Sequence, residues 1–289
     1  MKQPGCLLIS LVFLLVAGAA FWLITSDHAL LANPNRIAVI EVKGLIDDAR
    51  ETLRSIVKYR KDPNVKALVL RVESPGGGVG PSQEIYRELQ RTNETKPVVA
   101  SLGAVAASGG YYIASAAGRI FASPGTVTGS IGVIVYYPNL EELFEKIGYS
   151  MTAIKSGRFK DLGNPDREMT AEEKALLQQT IDQVHRQFIE AVAAARNIPR
   201  EKIEAIADGR ILTGETAKQL GLVDELGNFE DAVRAAAIMG KVEGEPKLVY
   251  AKKKGFSLLE LLLGNQLAEQ ITNYPVGFAG IRYQAPLAP

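Results

Sequence analysis

The sequence predicts an α/β domain built on a largely parallel sheet and preceded by one transmembrane helix at the amino terminus. Three observations predict it. Short β-branched apolar runs alternate with helix-length amphipathic stretches, which is the rhythm of βα units. The segment 6–25, CLLISLVFLLVAGAAFWLIT, carries no charge, and at about 1.5 Å per residue its length matches a bilayer core of roughly 30 Å. The chain of 289 residues is 47% hydrophobic and 22% charged, an ordinary globular balance that buries a full core without disulfide staples.

The elements follow in chain order. Residues 1–26 read as a short cytoplasmic end and a signal anchor. Lys2 precedes the apolar run and Asp27 follows it, so the positive-inside tendency places the amino terminus in the cytoplasm and the remaining chain outside the cell membrane. A cleaved secretory signal is the alternative, because Ala17-Gly18-Ala19 has the small-residue form of a cleavage site. Against that alternative, the apolar run continues through Phe21, Trp22, Leu23 and Ile24. No lipidation box precedes Cys6, which reads as a small lipid-facing hydrophobe.

A linker at 27–36, with Asn33-Pro34-Asn35, leads into the exported part. Strands are expected at 37–42, 67–72, 98–102, 131–135 and 151–154. Helices are expected at 48–59, 81–91, 109–117, 140–147, 171–195, 200–207 and 214–220. The long one at 171–195 opens on a capping box, Thr170 to Glu173, and carries an apolar stripe at Leu177, Ile181, Val184, Phe188 and Val192. Gly221 then stops a helix before a short strand. The extension at 241–289 differs, with Lys252-Lys253-Lys254 ahead of a leucine-rich run at 256–263. It suits an interfacial or oligomer-contact helix as well as an ordinary packing helix. No internal repeat is present.

Composition excludes several function classes. Lys and Arg total 33 against 32 Asp and Glu, a formal charge of +1, which argues against nucleic-acid binding. One cysteine, Cys6, and two histidines, His28 and His185, leave too few soft ligands for a zinc site.

Two glycine-rich stretches follow strands, where α/β proteins place their sites. The first, Ser74-Pro75-Gly76-Gly77-Gly78-Val79-Gly80, lacks the lysine of a phosphate loop and the spacing of a dinucleotide site. What it offers is backbone N–H groups that a carbonyl oxygen can approach closely, although a plain strand-to-helix turn accounts for it equally well in isolation. In the second, Gly103 to Tyr112, nearly every neighbour of Ser108 is tiny. That permits a sharp strand-to-helix turn presenting one hydroxyl, like a nucleophile elbow, with Ala106 in place of the first glycine of the usual pattern. The amides of Gly77 and Gly109 could then hold one oxyanion. Taken alone, Ser108 could equally be a helix-capping serine.

A nucleophilic serine needs a base. His28 abuts the apolar segment and His185 sits on the flank of a long amphipathic helix, so a histidine triad is unconvincing. A free lysine, at a pKa of about 10.4, costs roughly 4.5–5 kcal/mol to deprotonate at neutral pH. Burial depresses a lysine by up to about 3–5 units, so the base must be a desolvated lysine, best held by a neutral hydroxyl. The loop Lys155-Ser156-Gly157-Arg158-Phe159-Lys160-Asp161 offers two candidates that residue type alone does not separate.

Taken in order, Ser74-Pro75-Gly76-Gly77, Ala106-Ala107-Ser108-Gly109-Gly110-Tyr111-Tyr112, Thr128-Gly129-Ser130-Ile131-Gly132-Val133 and Ile154-Lys155-Ser156-Gly157 with Lys160-Asp161 resemble the signal peptide peptidase A family of bacterial membrane serine proteases. The resemblance covers roughly 37–238 and implies a protease domain at 37–240 with the Clp protease/crotonase-like fold, a βαβ spiral. It implies a serine–lysine dyad with Ser108 as nucleophile, Lys160 as base, Ser130 positioning the lysine, and oxyanion donors at Gly77 and Gly109. No cofactor or metal is implied. The single copy of the core resembles the single-length form, for which a homo-oligomeric ring is expected, with serine and lysine of one site drawn from neighbouring protomers. Peptide substrates such as signal peptides follow from the resemblance. Two other classes compete: a crotonase-like acyl-CoA enzyme, which has no use for Ser108 and Lys160, and a catalytically silent membrane scaffold, which has no use for the intact set.

Overall fold

Six parallel strands form the backbone of the molecule in the computed structural model, which describes Leu14, Gly18, residues 35–251 and Arg282–Gln284. The chain runs β1 (Arg36–Lys43), α1 (Arg50–Lys61), β2 (Val65–Ser74), β3 (Gly76–Gly78), α2 (Val79–Asn93), β4 (Val98–Ala106), α3 (Gly109–Ser115), β5 (Arg119–Ala122) and β6 (Val127–Gly129). It continues through α4 (Glu141–Lys146), α5 (Ala171–Arg196), α6 (Arg200–Glu204), β7 (Ile211–Thr213), α7 (Gly214–Gln219), β8 (Glu225–Leu226), α8 (Phe229–Met239), β9 (Lys247–Tyr250) and β10 (Arg282–Gln284). The parallel strands lie in the order β9, β1, β2, β4, β5, β8. The far end of β4 also pairs with β6, parallel, and β6 takes β7 antiparallel. This is the expected α/β architecture with a central parallel sheet.

Side-chain alternation divides the core. On β1, Ala38, Ile40 and Val42 face the larger cluster with Ile56 of α1, Ile85 and Leu89 of α2, Ile113 of α3 and Phe188 of α5. Ile37 and Val39 face the opposite cluster, with Ala232, Val233 and Ala236 of α8. Both faces are covered, so the strands read as continuous apolar runs. Helix α5 starts with the expected capping box, in which Thr170 Oγ1 accepts from the Glu173 N–H at 3.2 Å and Glu173 Oε2 accepts from the Thr170 N–H at 2.8 Å.

Two expected strands are corrected. Residues 131–135 do not form one: Gly129 at φ +72° and Ser130 at φ +51° turn the chain out of the sheet, and the Ser130 N–H donates to the Arg210 carbonyl instead. The apolar content there serves packing, since Ile131 is buried. Residues 151–154 are exposed, with Ile154 entirely so, and have no ladder partner among the described residues. The helix expected to reach 207 ends at Glu204. Sequence pattern does not indicate β3, β5, β6, β7, β9, β10 or α8, although Asn228 and Asp231 make a second capping box at the start of α8.

The expected anchor at 6–25 lies outside the described residues apart from Leu14 and Gly18, which are helical. Among the described residues no helix is long and apolar enough to cross a membrane. The leucine-rich run at 256–263 also falls outside them.

Candidate active site

The two glycine-rich stretches meet at the carboxyl ends of β2 and β4. After Ser74 the chain turns at Pro75 into β3, where Gly76 adopts φ +106°. A Cβ on Gly76 would come within 2.8 Å of the Gly109 nitrogen, and one on Gly77 within 2.5 Å of the Ile46 nitrogen, so only glycine lets these backbones approach. Ile46 holds one edge of β3: its N–H donates to the Gly76 carbonyl and its carbonyl accepts from the Gly78 N–H, both at 2.9 Å. Successive residues of a strand point their polar groups to opposite edges, so the Gly77 N–H faces away from Ile46.

Ser108 sits where β4 gives way to α3, at φ 53° and ψ −118°, a conformation that non-glycine residues rarely adopt. Four backbone bonds fix this elbow. The Ala107 N–H donates to the Ser74 carbonyl at 3.0 Å, and the Ser108 N–H to the Gly129 carbonyl at 2.8 Å. The Gly110 and Tyr112 N–H groups donate to Ala107 and Ser108 carbonyls, each at 2.8 Å. The tiny neighbours are required by contact, since a Cβ on Gly110 would lie 2.7 Å from the Ser74 carbonyl oxygen. Ser108 is 1% exposed, and its Oγ is buried with no hydrogen-bond partner. An unpaired buried hydroxyl in a strained backbone is costly, and such costs concentrate at functional sites.

Ser130 is carried beside this elbow by β6. The neighbouring Gly129 carbonyl accepts the Ser108 N–H, and the Thr128 hydroxyl donates to the Ala106 carbonyl at 2.7 Å. Ser130 borders an open cavity of about 380 Å³, whose lining includes Tyr136, Gln178, Asp182, His185 and Asp208. Arg210 and Asp208 shape its rim through a paired side-chain contact at 2.5 Å, which holds the Asp208 carboxyl at a pKa of about 2. His185 lines the same cavity with its Nε2 buried and unpaired.

The structure brings the segments bearing Ser108, Gly77, Gly109 and Ser130 together, and Ser108 Oγ makes no hydrogen bond to Lys160. Lys160 is exposed on the turn at 156–163, and it makes no ion pair among the described residues. Lys155, the other candidate, is bound to Asp161 at 2.6 Å. That bond, with help from Arg167, keeps the Asp161 carboxyl below its ordinary range. Arg167 in turn pairs with the buried Glu173 at 2.6 Å, tying the loop to the start of α5. The two lysines thus differ in their charge pairing, which residue type does not reveal.

Sequence reading missed the aromatic wall behind Ser108. Tyr112 packs on Tyr86 and Phe188 at centroid distances of 4.8 and 4.9 Å. Burial pushes the Tyr112 hydroxyl well above its ordinary range. The signal was present in the α5 stripe at Phe188, but nothing in periodicity separates a pocket wall from a core position.

Comparison with known proteins adds the family. Residues 90–243 match the model for peptidase family S49, a span that contains Ser108, Gly109, Ser130 and Lys160 but not Gly77. A putative protease of Synechocystis sp. is 47% identical over 209 residues, covering 72% of this chain and 76% of that protein. The chain belongs to peptidase family S49. A putative signal peptide peptidase SppA of Enterococcus faecium is 34% identical, covering 82% of this chain and 73% of its own length. Protease 4 of Salmonella typhi is 41% identical, but this chain spans only 35% of it. The signal peptide peptidase A family suggested by the four motifs is therefore the right one, and the S49 member described here is a protease.

Proposed function

We propose that this S49 member is a membrane-anchored serine endopeptidase that hydrolyses signal-peptide remnants and similar apolar peptides through a Ser108–Lys160 dyad. The observation that carries the reading is Ser108 itself: a strained, buried, unpaired hydroxyl beside two glycine backbones that only glycine can bring so close. In the reaction, Ser108 Oγ attacks the substrate carbonyl carbon while its proton passes to Lys160 Nζ. The N–H groups of Gly77 and Gly109 hold the developing oxyanion. The tetrahedral species collapses to an ester, and Lys160 returns the proton to the leaving amine. Water then repeats the sequence on the ester and frees Ser108.

Lys160 in this scheme comes from a neighbouring protomer of a homo-oligomeric ring, where Ser130 positions it. Its exposure in the single chain supports that arrangement, because the desolvation a basic lysine needs has to come from elsewhere. So does the exposed apolar surface at Tyr136, Leu143, Ile147, Tyr149, Met151 and Ile154, which suits burial against a second copy. The Clp protease/crotonase-type spiral, the protease domain at 37–240, the anchor at 6–25 and an extracytoplasmic site complete the proposal.

The test is a pair of replacements in the full chain, Ser108→Ala and Lys160→Met. Each is expected to abolish turnover of a fluorogenic apolar peptide and, because phosphonylation draws on the same activated hydroxyl, labelling by a serine-reactive phosphonate. Retained peptidase activity in either variant overturns the dyad.

A further inference from the structure

The base that takes the Ser108 proton also hands it to the departing amine, so it has to stand between that hydroxyl and the leaving group. This requirement gives the groove a direction. Strand β4, which ends at the elbow, lies between β2 and β6. On the β2 side the backbones of Gly76 and Gly109 meet and Gly77 follows, so the carbonyl oxygen of a substrate belongs there. On the β6 side stands Ser130, assigned to position the base, one residue beyond the carbonyl that accepts the Ser108 N–H. The amine therefore departs over Ser130, and Ser130 borders the open cavity of about 380 Å³.

Close backbone approach builds one wall of that cavity. The Ser130 N–H donates to the Arg210 carbonyl at 2.8 Å, and the Gly209 N–H to the Ile131 carbonyl at 3.1 Å. A Cβ on Gly132 would press to within 3.2 Å of the Gly209 Cα, so glycine lets the two segments lie together. Helix α5 supplies another wall with Ile181, Asp182 and His185, which share one helix face. Part of the lining is apolar, through Val133, Ile134 and Ile181, and its charged groups are Asp182 and Asp208, with no lysine or arginine among the described residues. Asp208 is answered by Arg210, whereas Asp182 has only an amide partner, Gln178 Nε2 donating to it at 2.7 Å. The buried His185 Nε2 has no partner at all among the described residues. A side chain with an aliphatic stem and a cationic head answers both parts of this lining. Its stem covers the apolar residues, its head meets the Asp182 carboxylate, and a neutral imidazole can accept from it.

We infer that this cavity is the subsite for the residue that follows the scissile bond, and that it selects lysine or arginine there, with Asp182 determining the choice. The inference rests on the Ser108 acyl-enzyme reading, and the test separates the two.

The full chain in detergent is given N-acetyl-leucine p-nitrophenyl ester, and the acyl-enzyme is intercepted by added amino-acid amides. The amine nitrogen bonds to the acyl carbon, the bond from that carbon to Ser108 Oγ breaks, and the amine's proton passes through the base to Ser108. The amine thus enters by the route along which a leaving group departs. The ratio of two dipeptide products reports the subsite whatever the rate of acylation. Arginine amide is expected to be incorporated roughly fivefold faster than alanine amide, the gain from one charge-assisted contact at an open site. Glutamate amide is expected to be slower than either. Asp182→Asn should bring the arginine-to-alanine ratio close to unity, and Asp182→Lys should favour glutamate amide over arginine amide. Asp182 is exposed on α5, so both variants are expected to fold. A ratio near unity in the parent, no incorporation of any amine, or a ratio untouched by Asp182→Asn overturns the subsite. Dissociation of the assembly by Asp182→Lys, read by light scattering, gives the cavity to a neighbouring copy and overturns it as well. Ester hydrolysis that survives Ser108→Ala above the spontaneous rate overturns the nucleophile, and the subsite falls with it.

Discussion

Replacing Ser108 is expected to make the protein more stable as well as inactive, and the amount follows from its geometry. The residue carries two separate costs. Its φ of 53° with ψ of −118° lies outside the regions open to L-residues, a strain of about 1–2 kcal/mol. Its buried Oγ has no partner, which costs about 1–2 kcal/mol. Ser108→Ala removes the orphaned oxygen and keeps the strain, so a gain of about 1 kcal/mol is expected. Ser108→Gly removes both, offset by about 0.5–1 kcal/mol of added freedom in the unfolded chain, for a net gain of about 2 kcal/mol. For a domain of this size these gains raise the melting temperature by about 2–4 °C and about 4–8 °C. Differential scanning calorimetry of the full chain in detergent, dissociated into single chains so that no neighbouring Lys160 reaches Ser108 Oγ, reads the stability effect, and peptidase turnover is measured on the assembled protein. An alanine variant melting below the parent would refute the unpaired hydroxyl. A glycine variant melting no higher than the alanine variant would refute the strain.

Two further outcomes follow from the packing around the site. The Tyr111 hydroxyl donates to the Leu222 carbonyl at 2.8 Å with both residues fully buried, so Tyr111→Phe is expected to cost about 1–2 kcal/mol and lower the melting temperature by about 2–8 °C. An unchanged melt would show that the bond is dispensable. The Glu173 carboxyl titrates at about 2 when folded against 4.5 in the open chain, chiefly because Arg167 donates to it, with help from the Thr170 N–H. A folded pKa below the unfolded one gives stabilisation that is complete above the unfolded value and fades as pH falls towards the folded value. The melting difference between the parent and Glu173→Gln should therefore shrink between pH of about 5 and pH of about 2.5, and a constant difference would contradict the ion pair.

Much of this molecule could be read from residues alone because its sheet is buried on both faces. Runs such as 37–42 and 67–72 have no alternative partner but a parallel core, and the structure extends them by only a residue or two at each end. The elbow at Ser108 was legible for a different reason: a string of Gly and Ala around one serine has few uses except close backbone approach. The failures share a cause as well. Residues 131–135 and 151–154 have strand composition, but a strand needs a neighbour, and no local pattern reports whether one is present. The short strands β7, β9 and β10 are supported by register with distant segments, as in the pairing of Tyr283 with Gly77 across about two hundred residues. Lys155 and Lys160 were inseparable because charge pairing is set by where Asp161 points, which spacing does not reveal.

The position of Lys160 yields a prediction that separates a dyad within one chain from a dyad between chains. In the single chain the turn bearing Lys160 is exposed, and Ser108 Oγ has no partner. Suppose each site takes its serine from one protomer and its lysine from the next. Ser108→Ala chains then still donate lysines, and Lys160→Met chains still donate serines. Neither variant alone can build a site. When the two are co-expressed in equal amounts and assemble at random, a site is complete whenever a serine-bearing chain lies on the correct side of a lysine-bearing one, which occurs for about a quarter of sites in a head-to-tail ring. Activity near a quarter of the parent's is therefore expected from a mixture of two inactive proteins. A dyad within one chain gives none at any ratio. A mixed assembly that incorporates both variants yet stays as inactive as either alone would move the base to another residue, or return Lys160 to the chain that carries Ser108.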